Sequence, residues 1–104
     1  MAKVCIHAGI CGFTTTVKAT SEDKQHAQLE ILSDCPNFNQ LKKELTQADA
    51  FAECFGKPGE GQVHQAFRKY CPHGACPVSY GVIKAIEIAC GLALPKDVRM
   101  EISQ

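Results

Sequence analysis

The chain of 104 residues has no tryptophan, five phenylalanines and two tyrosines, so aromatic residues make up only 7% of it. That is too few flat side chains to expect a base-stacking surface. It has no surplus of charge: eleven lysines and arginines balance eleven aspartates and glutamates. A polyanionic partner such as nucleic acid is therefore not expected. No apolar run approaches the roughly 18 residues that cross a bilayer, so no membrane partner is expected either. The start, Met1-Ala2-Lys3-Val4-Cys5-Ile6-His7, lacks the apolar stretch of a secretory leader. The segment Gly56-Lys57-Pro58-Gly59-Glu60-Gly61 is rich in glycine. It lacks the spacing and the Lys-Ser/Thr end of a phosphate-binding loop. There is also no C-x2-C pair anywhere in the chain.

What the chain has is cysteine: seven in 104 residues, an odd number. A chain without a leader is expected in the reducing cytoplasm, where cysteines bind metal or do thiol chemistry rather than form disulfides. The length fits a single domain over residues 1–104, with one modest core.

Periodicity gives the coarse architecture. Lys3 to Ala8 reads as a short strand, with Val4, Ile6 and Ala8 on one face and Cys5 and His7 on the other. Phe13 to Thr20 and His26 to Ser33 alternate with period two and form a hairpin across the polar turn at residues 21–25. A helix is expected from Asp34-Cys35-Pro36, carrying Phe38, Leu41 and Leu45. Thr46-Gln47-Ala48-Asp49 has the form of a capping box for a short second helix. Gln62 to Tyr70 fits a third helix, and Pro77 to Cys90 a fourth and longest one, ended by Gly91. Val98, Met100 and Ile102 alternate with polar residues as a last strand. The fold class expected is two-layer α+β, a small and mainly antiparallel sheet of three or four strands covered on one face by about four helices.

The chemistry concentrates at Cys71-Pro72-His73-Gly74-Ala75-Cys76-Pro77. Three of the five prolines directly follow a cysteine, at Cys35, Cys71 and Cys76. Cys35 and Cys76 stand just before expected helices, whose N-terminal N–H groups favour a thiolate. Cys11 lies in the glycine-flanked turn before the hairpin, and Cys35 follows the hairpin's second strand. Antiparallel pairing therefore brings Cys11 and Cys35 to the same end of the sheet. If the 71–76 loop closes over that end, Cys11, Cys35, Cys71 and Cys76 converge as four soft ligands, with His73 as a further ligand or a donor to sulfur. Four thiolates suit an iron–sulfur cluster and zinc alike. Their spread over three segments, rather than two paired knuckles, favours the cluster.

Two other readings compete. One is a thiol redox enzyme with Cys76 as nucleophile, His73 nearby and Cys71 resolving. The other is a structural zinc site in a module that binds another protein. Cys54 and Cys90 fit as small core residues, and Cys5 as a strand residue beside His7. His26 and His64 fit polar faces. Lys84 and Glu87 fit a solvated pair. The oligomeric state is not encoded in any motif.

The runs Cys11-Gly12-Phe13-Thr14-Thr15-Thr16-Val17, Ser33-Asp34-Cys35-Pro36, Cys71 to Val78, Lys84-Ala85-Ile86-Glu87 and Gly91-Leu92-Ala93-Leu94-Pro95 resemble a family of small uncharacterised cysteine-rich proteins of anaerobic bacteria and archaea. The resemblance covers about residues 4 to 103. It implies an anaerobic cytoplasm, in which an oxygen-sensitive cluster survives, and it implies no activity.

Overall fold

The computed structural model describes residues 1–104. Four strands form one antiparallel sheet in the order β1 (Ala2–His7), β2 (Thr14–Thr20), β3 (His26–Ser33) and β4 (Gln47–Asp49). The pairing runs Ala2 with Ala19 to His7 with Thr14, then Thr15 with Ser33 to Thr20 with Gln28. Alternation fixes this register, because a slip of one residue would turn every apolar side chain to water. Thr15, Val17 and Ala19 of β2 and Ala27, Leu29 and Ile31 of β3 are buried, and their alternate neighbours face solvent or are half-buried.

Helices cover that one face. They are α1 (Leu41–Glu44), α2 (Ala50–Phe55), α3 (Gln62–Tyr70) and α4 (Val78–Ala89). The fold is thus two-layer α+β, and the core lies between the sheet and α4. Val78, Val82, Ala85 and Ile86 of α4 are sealed there with Val17 and Ala19. Phe38 and Phe67 meet edge to face at 5.3 Å and join the segment after β3 to α3. No helix is long and apolar enough to cross a membrane.

Three expectations change. The helix expected from Pro36 is a 3-10 turn (Pro36–Phe38) followed by the single turn of α1. Gln47–Asp49 is a strand rather than the start of a helix, because Ala27 and Gln28 offer it a pairing edge. The cap of α2 is Asp49, whose carboxylate accepts the N–H groups of Phe51 and Ala52 at 2.9 and 3.3 Å. Residues 93–104 form no strand: Val98, Met100 and Ile102 stay exposed, because alternation makes a strand only where an edge receives it.

Gly81 sets how closely α4 sits on β1. A methyl group there would fall 2.5 Å from Ile6 Cγ1, inside any van der Waals contact. Alanine is the better helix former by about 1 kcal/mol. Gly81→Ala is nonetheless expected to destabilise the protein by about 1–3 kcal/mol through overpacking, measured by urea unfolding. A gain in stability would mean that the helix does not rest on Ile6.

The β2–β3 turn is held by Asp23, whose carboxylate accepts the N–H groups of Gln25 and His26 and meets His26 Nδ1 at 2.7 Å. The side-chain bond to His26 lowers the Asp23 pKa, and the same bond raises that of His26. The pairing is fully present between the two ordinary values, about 4 and 6.5. It fades as acid protonates Asp23, and again as pH rises through the raised value of His26. An NMR titration of the His26 ring should give a midpoint above 6.5, and Asp23→Asn should lower it. An unchanged midpoint in the variant would contradict the pairing.

Candidate metal centre

The packing of α4 decides where the cysteines go. Gly81, near the start of α4, lies against Ile6 near the end of β1. At its other end, Gly91 lies beside Lys24 of the β2–β3 turn. The N-terminus of α4 therefore sits at the end of the sheet where β1 finishes, β2 begins and β3 finishes.

Cys35 reaches this end from β3. Its N–H donates to Ser33 Oγ at 3.1 Å, and that hydroxyl bonds the Thr15 hydroxyl at 2.8 Å. Asp34 accepts the Thr14 N–H at 2.9 Å, which ties the β3 exit to the β2 start. Cys11 lies on the turn between β1 and β2. That turn is closed by Gly12 N–H to Gly9 O and Ala8 N–H to Phe13 O. Gly9 (φ 95°) and Gly12 (φ 77°) adopt left-handed backbone that a side chain would strain. Cys11 and Cys35 thus share one end of the sheet, as the hairpin implies.

Cys71 ends α3, its N–H donating to Phe67 O at 2.7 Å. One residue earlier, the Tyr70 hydroxyl donates to Glu44 at the end of α1 and anchors the loop's start. The loop then folds over the His73 carbonyl, which accepts the Cys71 thiol at 3.6 Å and the Cys76 N–H at 3.4 Å. His73 contributes its backbone to this turn, and its ring is exposed.

Cys76 lies near Cys71 and Cys35, and all three are half-buried against the core. Burial pushes the Cys76 pKa up, and the two neighbouring thiols push it further. The Val78 N–H at the start of α4 pulls the other way and is outweighed. The helix N-terminus therefore does not make Cys76 the ready thiolate that its position suggests. Cys54, by contrast, is a thiol of the helical layer, pushed up to about 11 by burial and then by Glu87.

The four cysteines share one end of the molecule but do not close into a ligand set. No three His, Cys, Asp or Glu side chains meet in a geometry that would hold a metal ion. Cys71 and Cys35 are neighbours of Cys76, and Cys11 stays exposed on its turn.

A cleft of about 300 Å³ opens beside Cys71 and Cys76, and His64, Arg68 and Ser79 also line it. His64 was not expected here. Its Nε2 is buried without a hydrogen-bond partner, and its ring meets Tyr80 edge-on at 5.0 Å. The signal for it was its position seven residues before Cys71, two turns along one face of α3. On the open face of the sheet, His7 Nε2 lies 3.7 Å from Cys5 Sγ, and His7 Nδ1 lies 3.3 Å from Thr14 Oγ1. Cys5 therefore stands on the face opposite the helical layer.

A fold and a cysteine cluster of this kind define a small α+β protein with a thiol-rich sheet end. The chain belongs to a family of unknown function (DUF6951), whose model matches residues 2–102. No match was found among curated proteins or among solved structures.

In reduced, metal-free protein at neutral pH, iodoacetamide should modify Cys76 more slowly than an unstructured cysteine peptide, followed by peptide mass spectrometry. Modification faster than the peptide would restore Cys76 as an activated nucleophile.

Proposed function

We propose that this protein holds a soft metal centre, an iron–sulfur cluster before zinc, on the thiolates of Cys35, Cys71 and Cys76, with Cys11 as the fourth ligand. The observation that carries the reading is that three half-buried cysteines are brought to one end of the fold by separate elements: the exit of β3, the end of α3 and the start of α4. Cys76, half-buried beside other thiols, resists ionisation. A bound cation removes that penalty, because its charge deprotonates each coordinating thiol. The site thus has its acidity set by the metal rather than by the helix. The N–H groups at the start of α4 would further stabilise sulfur charge.

Cys11 is the exposed member of the set. Glycines at 9 and 12 let its turn adjust, so metal binding would draw it in toward the other three. His64, whose Nε2 has no partner beside Cys71 and Cys76, would serve as a hydrogen-bond donor to sulfur in the bound state. Such a centre fits electron transfer, cluster delivery or sensing with another protein as partner, in a reducing and oxygen-poor cytoplasm. A thiol enzyme built on Cys76 is less well supported, since the surroundings raise that thiol's pKa.

Protein purified without oxygen should be coloured and should contain iron and acid-labile sulfide. Serine at Cys35, Cys71 or Cys76 should remove most of the metal, and serine at Cys11 should lower it, all by elemental analysis. Four serine variants that retain full metal would sink the proposal, as would wild-type protein without metal. Colourless protein carrying zinc lost on the same substitutions would keep the ligands and replace the cluster.

A further inference from the structure

The tail after α4 has the pattern of a strand and no partner. Val98, Met100 and Ile102 are 69%, 75% and 88% exposed, and their spacing would put them on one side of an extended segment. Between them Arg99 and Glu101 form an ion pair at 3.0 Å.

The sheet has a matching vacancy. β1 is an edge strand of six residues, paired only with β2. The other edge, β4, has only three residues and runs directly into the capped start of α2. A long uncovered edge is a template for another strand. The core is also incomplete there: Val17 and Ala19 of β2 are fully buried, whereas Val4 and Ile6 of β1 are only half-buried. A strand beyond β1 with three inward apolar side chains would complete that side of the core. Its polar side would then place Arg99 and Glu101 on the open face with Lys3, where Glu101 complements the lysine.

Direction decides which copy supplies the strand. The tail leaves α4 at Gly91, beside the β2–β3 turn, and β1 starts at that same end with Ala2 paired to Ala19. Along its own β1 the tail would run parallel, the weaker pairing and one foreign to this all-antiparallel sheet. A second copy related by a two-fold axis presents the same edge antiparallel, and the exchange is reciprocal, which doubles every contact. We infer that Val98–Ile102 adds as an antiparallel fifth strand to β1 of a second copy of this chain, giving a tail-exchanged dimer. The inference does not depend on the metal centre.

The test is sedimentation equilibrium of the full chain over a micromolar concentration range, with amide hydrogen exchange followed by NMR. The expected result is a dimer with protected amides at residues 98–102 and at alternate residues of β1. Met100 is exposed in the single chain, so Met100→Lys should leave the fold intact by circular dichroism and weaken the dimer by about tenfold or more. A chain ending at Leu94 should be a folded monomer. A monomer at all concentrations would overturn the inference. So would a dimer that survives both changes, or a monomer whose tail amides are protected, which would place the strand on its own edge.

Discussion

The contact on which this molecule depends is that of α4 across the inner face of β1 and β2. It seals the core, since Val82, Ala85 and Ile86 are fully buried with Val17 and Ala19. It also fixes a direction, because Gly81 admits Ile6 so closely that the start of α4 can lie only at one end of the sheet. Cys76 stands two residues before that helix, and Cys71 is tied to it by the turn over the His73 carbonyl. The thiol cluster is therefore a consequence of helix-on-sheet packing, and its other members are carried there by strand ends.

The chemical character of the cluster follows from burial and from like neighbours. A helix N-terminus beside a single thiol favours the thiolate. Here burial of Cys76, with the neighbouring thiols of Cys71 and Cys35 adding to it, outweighs the one N–H that favours charge. A thiol that resists ionisation, as Cys76 does, is poor at attacking a substrate at neutral pH. The cationic and neutral lining of the adjoining cleft, with Arg68 and His64, suits a centre whose sulfurs carry negative charge.

Much of this was legible in the residues. Strict alternation in Phe13–Thr20 and His26–Ser33 determined the hairpin, and the hairpin alone placed Cys11 and Cys35 at one end. The apolar stripe of α4 determined its length to within a residue at each end. What the pattern could not carry were features decided by distant partners. Gln47–Asp49 resembles a helix start by composition and became a strand because β3 had a vacant edge. Val98–Ile102 has a strand's alternation and pairs with neither edge of the sheet. His64 looked like a surface residue until the third dimension put it beside Cys71. The raised pKa of Cys76 was equally invisible, because it comes first from burial and then from Cys71 and Cys35, which lie five and 41 residues away in sequence.

The central claim is that these cysteines are metal ligands. The most direct measurement is X-ray absorption at the edge of whatever metal the anaerobically purified protein carries. The account predicts a first shell of sulfur only, at about 2.3 Å, the metal–thiolate distance found in tetrahedral zinc sites. A first shell of nitrogen and oxygen at about 2.0–2.2 Å would contradict it, since the metal would then sit away from the thiols.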